Sequence, residues 1–174
     1  MRNLYVVEGP DCSGKTTLAK YITCALNGTY HHMSGSPAYH TLMQKYHFDK
    51  FDDIEWNIRN VSLSVHVLDR SWPSEIVYGR EFRPHFVGAF DWQVLDERMK
   101  HLDVAYIFCM DDQVVERHEE QKDQNHPYDR AAFQGVVAGY KTLMDEMIAR
   151  RGDCYHYDLT QHGASIRAFM ERMG

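Results

Sequence analysis

Apolar residues in this chain follow two spacings that alternate along its length. Unbroken runs at Leu4-Tyr5-Val6-Val7 and at Val104–Cys109 read as strands buried on both faces. Three weaker runs, Thr29–Met33, Ser64–Asp69 and Cys154–Leu159, predict further short strands. Between them the spacing becomes helical. Leu18, Ile22, Ala25 and Leu26 predict a helix over 15–26, stopped by Asn27-Gly28. Ile54, Ile58, Val61 and Val65 mark a second helical face, and the Tyr-, His- and Phe-rich stretch before it, 38–53, reads as a short helix followed by a loop. Ser34-Gly35-Ser36-Pro37 forces a turn, and Ser71 to Glu75 is a helix start with Pro73 in the first turn. Asp91 caps a helix carrying Val94, Leu95 and Met99, and Asp111-Asp112 cap one bearing Val114 and Val115. Phe133, Val136, Val137, Tyr140, Met144 and Met147 form one stripe of a helix over 129–150, and Ile166, Phe169, Met170 and Met173 face a closing helix. Strands alternating with helices mean an α/β domain, a parallel sheet covered on both faces.

Composition narrows this picture without redirecting it. The 174 residues suit a single domain spanning 1–174, with no repeat or Pro/Gly/Ser linker. A net charge of −6 disfavours non-specific attachment to nucleic acid or anionic membrane. Cys12, Cys24, Cys109 and Cys154 lack CxxC spacing and are expected to be reduced, mostly buried thiols. No apolar run reaches membrane-spanning length, and the first motif begins too near Met1 for a cleaved signal, so a cytoplasmic location is expected. Eleven histidines raise the question of metal, but their spacing shows no HxxxH or Cys/His pair.

The chemistry begins where the first strand ends. Gly9-Pro10-Asp11-Cys12-Ser13-Gly14-Lys15-Thr16 is a GxxxxGK[ST] phosphate-binding loop, running into the first helix at Thr17. Gly9 and Gly14 allow backbone conformations that a Cβ would forbid, so successive N–H groups can turn toward a phosphate. The helix start adds unsatisfied N–H groups and a positive dipole end. Lys15 is expected to reach the β- and γ-phosphates of ATP, and the Thr16 hydroxyl to ligate Mg²⁺.

A second acidic component is needed across from Thr16, and Asp69 at the C-terminal end of a predicted strand has the right position for it. Arg70 follows directly and is expected to meet phosphate. The polar run from Glu116 to Arg130, which includes Arg117, Lys122, Asn125 and His126, reads either as a solvated loop or as a lid that lowers a cation onto phosphates.

Three separated segments resemble one family. Val7-Glu8-Gly9-Pro10-Asp11-Cys12-Ser13-Gly14-Lys15-Thr16-Thr17 is similar to the [FV]EGxDxSGKTT motif of thymidylate kinases. Asp69-Arg70-Ser71-Trp72-Pro73-Ser74-Glu75-Ile76-Val77-Tyr78-Gly79 resembles their DRYxxSxxAYQ segment. Tyr128 to Phe133 and Val137 to Tyr140 resemble the helix after their lid. The resemblance implies a three-layer P-loop kinase fold with a five-stranded parallel sheet and a small lid near 116–130. It also implies phosphoryl transfer from MgATP to a nucleoside monophosphate, and often a homodimer. Under it Asp11, Arg70, Ser74 and Tyr78 contact the acceptor, Arg70 also serves the transferring group, and Thr160-Gln161 lies near adenine. Cys12 stands where one family subclass has a basic residue, which directs the search for a catalytic cation to Arg117, Lys122 and Arg130.

The resemblance lapses after the second strand. The family's REPGGT-like segment is replaced by His31-His32-Met33-Ser34-Gly35-Ser36, so an acceptor-binding arginine is missing. Tyr39, Trp56 and Trp72 are candidate base-stacking residues. An alternative acceptor is a hydroxyl, on a nucleoside or on a modified thymine in DNA, and it would need a carboxylate such as Glu8 or Asp11 to take its proton. A nucleotide-dependent switch is the third reading, although no NKxD segment of the GTPase type occurs and no DxxG segment occurs outside the phosphate loop.

Overall fold

The structure of the chain, a computed structural model, describes residues 2–33, 41–61, 64–83, 92–121, 129–162 and 165–173. Five parallel strands form one sheet in the order β2-β3-β1-β4-β5. They are β1 (Leu4–Glu8), β2 (Thr29–His32), β3 (His66–Asp69), β4 (Val104–Cys109) and β5 (Cys154–Tyr157). The expected five-stranded parallel α/β sheet is therefore present. Alternate side chains of the central strands enter different cores, as the two-residue period requires. Leu4, Val6, Tyr106 and Phe108 pack under α2 (Thr41–Asn60), α3 (Trp72–Phe82), α4 (Trp92–Lys100) and α6 (Arg130–Arg150). Tyr5, Val7, Ala105 and Ile107 pack under α1 (Lys15–Ala25) and α8 (Ile166–Arg172).

Helix α6 shows how the stripe read from sequence becomes a wall of the core. Phe133, Val136, Tyr140, Met144 and Met147 are buried along it, and Val137 is packed at the margin. Asp129 sits at the N-cap, and its Oδ1 accepts from the Ala132 N–H at 2.8 Å.

Several expectations need correction. The stretch 38–53 is not a short helix followed by a loop, because α2 continues without a break from Thr41 to Asn60. Its inner seam is His47, Phe51, Ile54 and Ile58, a regular i, i+4, i+7, i+11 series with a buried histidine at the first position. That polar residue in an apolar place hides the period. Exposed i,i+4 pairs support the outer face, Lys45 with Asp49 at 2.5 Å and Arg59 with Glu55 at 2.8 Å. Val61 is exposed beyond the helix end and Val65 is buried just before β3, so neither continues that face. On α4, Leu95 and Met99 are buried as expected, but Val94 faces outward.

The polar run also begins differently. Glu116 to Gln121 belong to α5 (Val114–Gln121), not to a loop. The helix expected to bear Val114 and Val115 is therefore present and runs on to Gln121; only Val114 and His118 are buried, with His118 stacked on Phe133 at 3.7 Å between ring centroids, too narrow an apolar stripe to show its length in the sequence. All four cysteines are free thiols, but only Cys109 is buried; Cys24 is exposed and Cys12 and Cys154 are half-buried. Among the described residues no helix is long and apolar enough to cross a membrane, and no group of three His, Cys, Asp or Glu side chains is placed to hold a metal. The turn at 34–37, Tyr39, the Asp91 cap, and Lys122, Asn125, His126 and Tyr128 lie outside the described residues.

Candidate functional site

β1 and β3 are hydrogen-bonded neighbours, so the loop after Glu8 and the segment after Asp69 leave the sheet side by side at its C-terminal edge. This is the edge where open parallel sheets bind ligands. The loop departs from β1 through Gly9 at φ 146 and re-enters regular structure at Gly14, which caps α1 at φ 82 with no side chain satisfying the helix N–H groups. A Cβ on Gly9 would overlap the Cys109 carbonyl oxygen and lie 2.9 Å from Ser13 Oγ. Gly9→Ala is therefore expected to lower the unfolding free energy by about 2–4 kcal/mol. Urea unfolding that matched wild type would show that the loop is not packed against β4 in this way. Cys12 also has positive φ, 61°, a third left-handed turn in the loop that sequence reasoning did not anticipate.

Lys15 folds over this loop, with Nζ 3.1 Å from the Pro10 carbonyl oxygen and 3.3 Å from Asp11 Oδ1. Burial lowers its pKa, Arg70 adds to that, and Asp11 and Asp69 work against it. Beside it lies a cavity of about 300 Å³, bounded by Cys12, Gly14, Lys15, Thr16 and Thr17. Arg117, Gln121 and Leu159 close the far side. Arg117 is fixed there by two acceptors: Nε donates to the Cys12 carbonyl at 3.0 Å, and Nη2 donates to Asp111 Oδ2 at 2.5 Å. Among the candidate cations of the polar run, Arg117 thus reaches the loop. Arg130 does not line the cavity; it pairs with Glu116 at 3.2 Å on the surface. Lys122 lies outside the described residues.

Thr16 and Asp69 meet directly, the Thr16 hydroxyl donating to Asp69 Oδ2 at 2.6 Å. Asp69 is fully buried, and its Oδ1 has no hydrogen-bond partner among the described residues. A hydroxyl whose lone pairs remain free next to a bare carboxylate oxygen is an all-oxygen donor set of the kind Mg²⁺ takes, with water and phosphate filling the remaining positions. These residues therefore fit the ion.

Arg70 and Asp11 face one another on the other side of Lys15. Arg70 has a left-handed backbone, φ 77, costly for a residue with a Cβ. Its N–H donates to the Val7 carbonyl at 3.0 Å, and its guanidinium lies 4.9 Å from the Tyr78 ring centre and is ion-paired with Asp11. Tyr78 donates to the second Asp11 oxygen at 3.2 Å. Burial works against the Asp11 carboxylate, but Arg70 and Lys15 outweigh it and hold Asp11 below the usual carboxylate range.

Beneath this pair Glu8 is sealed from solvent. It accepts from the Ser71 N–H at 2.5 Å, the Ser74 hydroxyl at 2.6 Å and the Tyr140 hydroxyl at 3.4 Å, tying β1 to α3 and α6. Burial pushes its pKa up to about 8 from 4.5, against the pull of Ser74, Arg70, Ser71 and Lys15. A raised carboxyl pKa means the folded state binds the proton more tightly than the unfolded chain. Its contribution to stability is complete below the unfolded value near 4.5 and is lost as pH rises through about 8. Wild type should therefore lose stability relative to Glu8→Gln over that interval, by at most about 1.4 kcal/mol per pH unit. Denaturant curves of the two proteins that stay parallel from pH 5 to 8 would contradict this.

The remaining expected contacts are placed elsewhere. Trp72 is buried against Trp92, rings 4.9 Å apart, and donates to the Tyr106 hydroxyl at 3.3 Å, which makes it core. Trp56 is exposed on α2. Thr160 turns back to Asp158, which accepts from its N–H at 2.8 Å and its hydroxyl at 2.6 Å, and the neighbouring Leu159 lines the cavity instead. Sequence reasoning missed Tyr30 and His32, whose side chains also reach Asp69. The available signal was their two-residue spacing on a strand whose end runs beside that of Asp69.

No model of a known protein family matches this chain, and no curated protein does. Solved structures do match. The YorR protein from Bacillus subtilis, in complex with phosphorylated GDP, superposes with a TM-score of 0.68 over 98% of this chain and 92% of that one, at 17% identity. Deoxyadenosine kinase from M. mycoides with bound dATP gives 0.70 over 98% of each chain at 10% identity. The same enzyme with dCMP and a flexible dCDP gives 0.63 over 98% of each at 11%. The fold is that of the P-loop kinases. At these identities the likeness is one of fold, and activity has to be argued from the residues.

Proposed function

We propose that this protein is a kinase that transfers the γ-phosphoryl group of ATP, with Mg²⁺, to a nucleoside monophosphate in the manner of a thymidylate kinase. The observation that carries the donor half is the Thr16–Asp69 contact at 2.6 Å beside a phosphate loop whose Lys15 lines the cavity. In this reading the N–H groups of Gly9 and of Asp11 to Thr17, together with the Lys15 ammonium, hold the donor phosphates, and Ser13 and Cys12 shape the loop around them. Thr16 and Asp69 hold Mg²⁺, which when bound supplies charge neutralisation across the β- and γ-phosphates. Among the described residues Arg117, anchored to the Cys12 carbonyl, is the lid-side cation that reaches the loop. Arg70 exchanges its Asp11 partner for the acceptor or the transferring group, and Asp11, Ser74 and Tyr78 orient the acceptor. The protein contributes in-line placement and fixed positive charge, and a phosphate acceptor needs no strong base.

A second reading, a hydroxyl acceptor on a nucleoside or on a modified thymine in DNA, is favoured by one observation. Arg70 and Lys15 hold the Asp11 carboxyl ionised beside the loop, a base that a hydroxyl acceptor would need and a phosphate acceptor would not. The Asp11 carboxylate, ionised and partly open to solvent, is then the proton acceptor, since Glu8 is sealed.

Labelled ATP and Mg²⁺ incubated with nucleosides, nucleoside monophosphates and DNA carrying hydroxymethylated thymine separates the two. Label on a monophosphate supports the first reading. Label only on a nucleoside or on DNA replaces it with the second, and label on none of them overturns both.

A further inference from the structure

Tyr30 and His32 lie two residues apart on the edge strand β2 and therefore project to the same side of the sheet. The parallel register sets His32 beside Asp69. The Tyr30 hydroxyl donates to Asp69 Oδ2 at 2.8 Å. His32 Nδ1 lies 3.2 Å from the same atom, and because a carboxylate only accepts, that nitrogen carries the proton. With the Thr16 hydroxyl at 2.6 Å, three donors converge on Oδ2 while the buried Oδ1 has none among the described residues.

A carboxylate that served only to join β2 to β3 would gain by sharing these donors between its oxygens, since a bare buried acceptor is costly. The asymmetry has a use if a cation completes the site. We propose that Tyr30 and His32 are positioning residues for the divalent cation: by saturating Oδ2 they fix the carboxylate and keep Oδ1 as its open coordination position. This rests on the reading that Thr16 and Asp69 hold the ion. It also assigns a role to the segment where the resemblance to thymidylate kinases lapses, because Tyr30 and His32 act on the donor's metal and need no contact with the acceptor. Outer-shell partners of this kind typically change metal affinity by about 10–100-fold.

Tyr30→Phe removes the hydroxyl and keeps the ring, whose face is used by Lys20 at 6.0 Å and whose plane is stacked with His32 at 6.4 Å. The test uses the full chain with Mn²⁺ as a paramagnetic probe and a non-hydrolysable ATP analogue. Electron paramagnetic resonance gives the Mn²⁺ affinity of the nucleotide complex, and calorimetry in chelator gives the metal-free nucleotide affinity. Tyr30→Phe should weaken Mn²⁺ binding about 10-fold, and Tyr30→Phe combined with His32→Ala by more, with metal-free nucleotide affinity within about two-fold of wild type. Mn²⁺ affinity unchanged in both variants overturns the proposal. So does an equal loss of Mn²⁺ and metal-free nucleotide binding, which marks the two residues as structural support for the strand. A wild-type protein that binds the analogue without any Mn²⁺ dependence would instead refute the metal reading of Thr16 and Asp69 itself.

Discussion

Lys15→Ala is expected to lower kcat/KM for phosphoryl transfer by about 10³-fold, among the largest effects of any single side chain in the protein. Among the described residues Lys15 Nζ is bonded to the Pro10 carbonyl and Asp11, and although its side chain is buried it belongs to neither apolar cluster of the core, so its removal is expected to cost less stability than a core truncation. What is lost is a nearly buried cation that lines the cavity, the fixed positive charge proposed to face the donor phosphates. Arg70 shares the Asp11 Oδ1 atom with Lys15 but is held over the Tyr78 ring and does not line the cavity, so it is not expected to replace the lysine. Steady-state turnover alongside a thermal melt checks this: activity should collapse while the melting temperature moves by only a few degrees. Turnover within a factor of ten of wild type would remove Lys15 from the donor site.

Arg70→Ala should lower kcat by about 10²–10³-fold with a smaller effect on ATP affinity. The residue holds its guanidinium over the Tyr78 ring and against Asp11, the two side chains proposed to orient the acceptor. The left-handed backbone at φ 77 is a cost borne for that direction, and the Glu8 carboxylate holds the next N–H, that of Ser71, in place. Arg70→Lys should rescue little, since an ammonium has no planar face to lie over the Tyr78 ring while it pairs with Asp11. Kinetics in which Arg70→Ala raises the KM for ATP and leaves kcat intact would place Arg70 at the donor.

The parts of the site that were legible from sequence are those whose chemistry is local. The phosphate loop follows one buried strand and precedes one helix, so Gly9, Gly14, Lys15 and Thr16 could be placed from spacing alone, and Asp69 from its position at the end of an apolar run. The long helix α6 was legible because its stripe contains no polar interruption. Helix α2 was not, because His47 occupies a buried seam position where its Nε2 faces the Glu75 carboxylate of α3 at 3.7 Å, a neighbour remote in sequence. The start of helix α5 at Val114 and Val115 was legible, but its continuation through Gln121 was obscured by a surface so polar that only Val114 and His118 turn inward. The Tyr30–Asp69 and His32–Asp69 contacts depend on which strands are neighbours and in what register, and that information is carried by the sheet as a whole. Arg117 and Arg130 illustrate the same limit: both lie in one polar run, but α5 aims the first at Cys12 while the start of α6 leaves the second on the surface.

The account depends most on the claim that the loop, Lys15, Thr16 and Asp69 work together to release a γ-phosphoryl group to an acceptor. A single-turnover reaction with γ-labelled ATP, run with the acceptor panel and with or without Mg²⁺, measures this directly. The expected result is label moving from ATP to a nucleoside-type acceptor only when Mg²⁺ is present, and not in Lys15→Ala. Tight ATP binding with all label remaining on ATP, or released only as inorganic phosphate whatever acceptor is supplied, would contradict it.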